Sequence, residues 1–228
     1  MEQPRIITTN DGSHSLYRAD LDETYHSHHG AVQESQYVFI KQGLDYWLSK
    51  NSEANRLQVL EIGFGTGLNA LLALQWAREK NLPLRFTTLE PYPINMEVAR
   101  ELNYGKQLDA EDDMLRLHEA AWGQDELLYD YFMIRKEQQK LEDYDVEYDL
   151  YDLIFFDAFA PSKQAEMWEP AMLKKCAEGL APGGVLTTYC AKGQLKRDLA
   201  AVGLQVETLP GAPGKKEMVR AIKKLIRS

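Results

Sequence analysis

Three carboxylates at the ends of apolar runs carry most of the chemistry that this 228-residue sequence offers. The first lies in Val59-Leu60-Glu61-Ile62-Gly63-Phe64-Gly65-Thr66-Gly67-Leu68-Asn69, where a strand-like run turns through glycines into a helical pattern. Glycines there let the backbone approach a ligand and adopt positive φ. The spacing is G-x-G-x-G, and Leu68 stands where the dinucleotide fingerprint needs its third glycine, which disfavours a pyrophosphate ligand. Glu61 suits a charged or amine-bearing ligand better than a phosphate. The second acid, Glu90, closes Thr87-Thr88-Leu89-Glu90, 23 residues after Gly67. In doubly wound folds an acid at that place accepts hydrogen bonds from the ribose of an adenosine-containing ligand. The third, Asp157, follows Leu153-Ile154-Phe155-Phe156 and opens Asp157-Ala158-Phe159-Ala160-Pro161. Open α/β sheets collect their ligands at such strand ends, and a carboxylate there needs a donor or cation to offset its desolvation. Phe159 and Pro161 add an apolar wall.

Other reactive residue types are less organised. His26, His28 and His29 lack the ligand spacing of a zinc pattern, so no metal is expected. Cys190 could in principle be the nucleophile of a pyrimidine C5-methyltransferase, but no proline precedes it, and it reads as a small buried hydrophobe. No P-loop, Ser-His-Asp arrangement or C-x-x-C pair is present.

The elements that must position these residues alternate strand-like and helical patterns, the signature of a mostly parallel sheet with crossover helices. Strands are predicted at Gln58 to Ile62, Leu84 to Leu89, Leu153 to Phe156 and Val185 to Tyr189, and helices at Leu68 to Lys80, Asn95 to Leu102 and Pro170 to Leu180. Ala181-Pro182-Gly183-Gly184 stops the last helix. Glu207 to Leu209 and Met218 to Ile222 suggest a closing antiparallel hairpin. Residues 105 to 150 show no clear pattern. Residues 1 to 57 read as a small N-terminal elaboration: a hairpin around Asn10-Asp11-Gly12-Ser13, a loop, and a helix from Gln36 to Lys50 with Ile40, Leu44, Trp47 and Leu48 on one stripe. The expected fold is a doubly wound α/β domain over residues 58 to 228, with the elaboration packed on its core.

No run approaches the roughly 18 apolar residues of a membrane span, and the start MEQPRIITTNDG lacks a secretory pattern. Two cysteines, Cys176 and Cys190, fit a reducing compartment, so a cytoplasmic protein is expected. The net charge of −9 argues against a polyanionic partner, yet nine basic and three acidic residues between Lys192 and Ser228 leave −15 for the rest. Such asymmetry reads either as a basic contact face or as a solvated surface.

The sequence resembles the methyltransferase domain of the MnmC family of tRNA wobble-uridine modification enzymes. The resemblance rests on Asp11-Gly12-Ser13, Glu23-Thr24-Tyr25-His26-Ser27, Gly30-Ala31 to Glu34, Tyr37-Val38-Phe39, Glu61 to Asn69, Leu89-Glu90-Pro91-Tyr92-Pro93, DAFAP at 157 to 161 with Met167-Trp168, Pro182-Gly183-Gly184, and Gly214-Lys215-Lys216-Glu217-Met218. It implies a Rossmann-like methyltransferase fold and transfer of a methyl group from S-adenosylmethionine to the amine of 5-aminomethyluridine. By the same resemblance Glu61, Gly63, Phe64, Gly65, Thr66, Gly67, Asn69 and Glu90 hold the cofactor, and Asp157 lies where methyl donor and amine meet. Tyr25, Glu34, Phe159 and Pro161 would shape the nucleoside pocket, with Lys192, Lys215 and Lys216 meeting phosphates of the tRNA anticodon arm. The flavin-dependent oxidase fused to this domain in the family is not expected within 228 residues. Gln139-Lys140 replaces a Gly-Asp pair on the adenine side. Three alternatives stay open: a small-molecule amine methyltransferase, a non-catalytic binding subunit, and a dehydrogenase, the last weakened by Leu68.

Overall fold

The computed structural model describes residues 4–225; Arg227, counted above in the basic C-terminal stretch, lies outside them. Eleven strands are present among the described residues: β1 (Arg5–Thr8), β2 (His14–Arg18), β3 (Glu23–Thr24), β4 (Leu57–Ile62), β5 (Leu84–Leu89), β6 (Asp125–Tyr129), β7 (Phe132–Glu137), β8 (Tyr151–Phe156), β9 (Leu180–Thr188), β10 (Leu204–Pro210) and β11 (Glu217–Lys223). The α-helices are α1 (Ala31–Ser35), α2 (Tyr46–Lys50), α3 (Leu68–Lys80), α4 (Met96–Glu101), α5 (Tyr104–Gln107), α6 (Glu111–Glu119), α7 (Pro170–Gly179) and α8 (Gly193–Ala201).

The first three strands form a small antiparallel sheet. The other eight form one sheet in the order β10-β11-β9-β8-β4-β5-β7-β6. β4 and β8 read as near-continuous apolar runs because helices cover both faces of the parallel centre. β4 pairs in parallel with β5 on one side and β8 on the other. The chain direction across the sheet therefore reverses at β4, and the carboxyl ends of β4 and β8 frame the crevice where such folds bind ligands. β6 pairs antiparallel to β7, and β11 lies antiparallel between β9 and β10 as the expected closing hairpin.

The helix expected over 36–50 begins earlier, at Ala31, and is π-helical from Gln36 to Asp45. Its wider winding shifts the buried stripe to Val38, Phe39, Gly43, Leu44 and Trp47, leaving Ile40 and Leu48 only partly covered. Gly43 lets this segment lie directly on β8 and β9: a Cβ there would be 3.1 Å from the Leu153 side chain and 3.5 Å from the Thr187 hydroxyl. Core residues of the N-terminal segment, such as Leu16, Phe39 and Trp47, share one apolar cluster with Val59, Leu71 and Phe155. Pro182-Gly183-Gly184 do not separate helix from strand. β9 already runs through them, with φ +82 at Gly183 and a register irregularity opposite Tyr151 and Leu153.

Candidate cofactor and substrate site

The glycine turn is shaped by close neighbours on several sides. Gly63 has φ +96, and a Cβ there would lie 2.8 Å from the Asp157 carbonyl oxygen, so the ends of β4 and β8 meet backbone to backbone. Gly65 has φ +50, with the Tyr25 ring 3.0 Å from where its Cβ would sit. Its N–H donates to Glu90 Oε2 (3.0 Å), while the Tyr92 N–H donates to Oε1 (2.9 Å). Glu90 is thus fixed at the rim of the turn, and burial raises its pKa above the ordinary carboxylate value. Gly67, at φ +77, caps α3. From behind, the His118 imidazole bonds to the Thr66 carbonyl through Nε2 (3.0 Å). Burial pushes His118 down to about 4, so the neutral ring is the donor at pH 7.

Glu61 is fully buried beneath the turn and does not line the cavity. Its Oε2 accepts from Thr88 Oγ1 (2.6 Å), and the Asn69 side chain also hydrogen-bonds its carboxyl group. Burial pushes its carboxyl up to about 8. Asn69, the second residue of α3, donates from Nδ2 to Asp157 Oδ2 (2.8 Å). Asp157 opens onto the cavity. Burial pushes it up to about 7, opposed by the Asn69 hydrogen bond, with the Glu34 charge adding to the rise and Lys215 reducing it.

Glu90, Asp157, Tyr25, Glu34 and Lys215 line one cavity of about 590 Å³, together with Gly63 to Thr66 and Asn69. Tyr25 and Phe159 meet edge to face with centroids 5.0 Å apart. The Phe159 carbonyl accepts from Trp168 Nε1 (2.7 Å), which ties the DAFAP segment to the Met167-Trp168 pair. Gln139 and Lys140, which follow β7, also line the cavity. Glu34 Oε2 accepts from the Ser27 N–H (2.9 Å), and its Oε1 pairs with Lys215 Nζ (2.5 Å).

Pro161, Lys192 and Lys216 do not line the cavity, and the two lysines are exposed. Lys215 departs from the expectation of a phosphate contact, because its ammonium points inward to Glu34. Within the basic C-terminal stretch Lys196 pairs with Glu217 and Arg220 with Glu207, while Lys223 pairs with Asp149 from outside it. Among the described residues no group of three or more His, Cys, Asp or Glu is arranged to hold a metal. Cys190 is buried, and burial raises its thiol pKa, which suits packing rather than nucleophilic attack. Sequence reasoning missed Tyr189, whose hydroxyl donates to the Ala158 carbonyl (2.8 Å) beside Asp157. Its position at the end of β9 was the available signal. It also missed His118 and Lys136, for which no sequence pattern exists.

A parallel sheet with a glycine turn at its switch point and acids at the ends of β4, β5 and β8 defines a Rossmann-like protein that takes an adenosine ligand. The cavity that Gly63 to Thr66, Asn69, Glu90 and Asp157 line together, with carboxylates at either end of a glycine turn, fits S-adenosylmethionine. Sequence comparison agrees: residues 129–224 match the family of S-adenosyl-L-methionine-dependent methyltransferases. The chain is similar to the tRNA 5-methylaminomethyl-2-thiouridine biosynthesis bifunctional protein MnmC of Pseudomonas fluorescens (strain Pf0-1), 30% identical over 213 residues, 88% of this chain and 32% of that one. The corresponding protein of Pseudomonas savastanoi pv. phaseolicola is 31% identical over 219 residues, with the same coverage. The chain thus spans about a third of the length of the curated relatives it matches. In fold it is similar to MNMC2 from Aquifex aeolicus, with a TM-score of 0.79 at 23% identity over 99% of this chain and 72% of that one. Spermidine synthase from Thermotoga maritima follows at a TM-score of 0.58 and 16% identity, with the same coverage. The chain is an S-adenosyl-L-methionine-dependent methyltransferase similar to the MnmC proteins.

Proposed function

We propose that this enzyme methylates the amine of 5-aminomethyluridine at the tRNA wobble position, giving 5-methylaminomethyluridine. One observation carries the reading: Asp157, oriented by Asn69, opens onto the same cavity as the glycine turn and Glu90. Glycines 63 to 67, Glu90 and Asn69 would hold S-adenosylmethionine, which when bound supplies an electrophilic methyl group. An amine attacks only as the free base, so the chain's own residues must position it and take its proton. Positioning supplies most of the acceleration of such a bimolecular step. Asp157, with its pKa near 7, is ionised enough at neutral pH to accept the proton and basic enough to hold it. Tyr25, Phe159 and Glu34 form the walls against which a nucleoside splayed from its stack would lie, as RNA recognition commonly requires. The exposed Lys192 and Lys216 would then meet phosphates of the anticodon arm, and a cytoplasmic location suits such a substrate. The curated relatives are bifunctional proteins of which the chain spans about a third.

A second reading, a small-molecule amine methyltransferase, is favoured by the pairing of so many C-terminal cations with acids. The two readings separate in one assay. Labelled methyl transfer is measured to an anticodon stem-loop bearing 5-aminomethyluridine, to the unmodified stem-loop, and to free polyamines and free 5-aminomethyluridine. Transfer confined to the modified stem-loop is expected. Equal or faster transfer to the free amines would favour the second reading.

A further inference from the structure

The loop joining β10 to β11 turns back on itself, with the Gly211 N–H bonded to the Lys216 carbonyl and the Lys215 N–H to the Ala212 carbonyl. Ala212 is buried, and Gly214, at φ +83, lies so close to the His29 ring that a Cβ would collide with it. These constraints aim Lys215 into the cavity. Its Nζ reaches Glu34 and lies 4.1 Å from the centroid of the Tyr189 ring, a carboxylate and an aromatic face that together make a site for one cation.

Several groups face this ammonium: Glu34 from α1, Asp157 after β8, Tyr189 and Cys190 after β9, and His26 and His29 from the loop before α1. His26 is neutral, since burial pushes it down to about 4. Without the lysine, two carboxylates, Glu34 and Asp157, would share the substrate end of the cavity. Nearby carboxylates stabilise an ammonium and raise its pKa. A substrate amine bound there would be held as a stable ion pair with no lone pair to attack.

We propose that Lys215 sets the protonation state of the substrate amine: by pairing with Glu34 it leaves Asp157 to receive a proton rather than two carboxylates to trap an ammonium. The inference rests on the reading of the substrate as an amine. The bound ammonium loses one proton to the Asp157 carboxylate, and the freed lone pair forms the new N–C bond as the methyl–sulfur bond of the sulfonium breaks; the donor leaves as the neutral thioether and the positive charge passes to the methylated nitrogen. Lys215 touches neither step and acts through Glu34.

The test is single-turnover methylation of the 5-aminomethyluridine stem-loop between about pH 6 and pH 9, beside stem-loop binding in the presence of S-adenosylhomocysteine, where no transfer occurs. Lys215→Met should move the acid limb of the rate profile up by about one unit, roughly a fivefold loss of kcat at pH 7 and roughly tenfold well below it, while KM falls. Binding of the aminomethyl stem-loop below pH 7 should tighten, and binding of a 5-methyluridine stem-loop should not. The double variant Lys215→Met with Glu34→Gln, which removes both charges, should return the limb toward wild type. A raised KM with an unmoved limb, or a double variant no better than Lys215→Met, would overturn the role of Lys215. Wild-type protein that fails to methylate the stem-loop at any pH would instead overturn the amine reading, and this proposal with it.

Discussion

Asp157 concentrates the chemistry of the site in one side chain with one fixed neighbour. Asn69 holds one oxygen, and the residue sits where the parallel strands end. If it accepts the amine proton it must be ionised, so turnover should rise with pH through about 7. Asp157→Asn keeps the shape and removes the charge, and single-turnover methylation should fall roughly 10²-fold. Stability separates this role from that of a structural cap. The folded-state pKa of about 7 lies above the ordinary aspartate value of 3.8, so the folded protein binds the extra proton, and this group's stabilising contribution is lost as pH rises from about 4 to about 7. Asp157→Asn removes that loss, and its melting temperature at pH 8 should equal or exceed wild type. A cap would behave oppositely, with a near-normal rate and a stability loss on the order of 1 kcal/mol.

At the scale of elements, the glycine turn is held from behind by a buried chain of groups. Lys136 on β7 is 1% exposed; its Nζ donates to the Leu117 (2.9 Å) and His118 (2.7 Å) carbonyls at the end of α6 and lies over the Trp122 and Phe64 rings. A cation at a helix C-terminus satisfies carbonyls that otherwise lack partners. His118 in turn bonds the turn itself at Thr66. Lys136→Met should therefore cost roughly 2 kcal/mol of stability, because the buried carbonyls lose charged donors. It should also weaken S-adenosylhomocysteine binding by calorimetry; unchanged affinity would detach this chain from the turn. Gly65→Val should abolish that binding, since any side chain at φ +50 is strained and meets Tyr25 first.

The same elements show what a sequence conveys. β4, β5 and β8 and the acids at their ends were legible because buried parallel strands are rich in apolar and β-branched residues and ligands gather at their carboxyl ends. The stretch from α5 to β7 was not. α5 has four residues, α6 carries three acids in its first turn, and the edge strand β6 is largely uncovered, so no apolar period emerges. α8 was missed because only Leu195 and Leu199 are buried along it. Ion pairs such as Lys223 with Asp149 join residues far apart in the chain and leave no local trace.

For the whole molecule, the charge asymmetry is smaller in space than along the chain. Two acids from outside the stretch, Glu34 and Asp149, pair with Lys215 and Lys223, and the exposed Lys192, Arg197, Lys216 and Lys224 remain as candidates for phosphate contact. Lys192→Glu with Lys216→Glu should weaken stem-loop binding and flatten its salt dependence, since fewer counterions are released. Affinity for S-adenosylhomocysteine should not change. An unaltered salt slope would place the RNA contact elsewhere on the surface.

The central claim, methyl transfer to the wobble aminomethyl group, is tested most directly by mass spectrometry of nucleosides. tRNA carrying 5-aminomethyluridine is incubated with the protein and labelled S-adenosylmethionine, then digested and resolved. 5-Aminomethyluridine should disappear as labelled 5-methylaminomethyluridine appears in equal amount, with no label in any other nucleoside. Label in a different nucleoside, or undiminished 5-aminomethyluridine with the protein folded and binding S-adenosylhomocysteine, would contradict it.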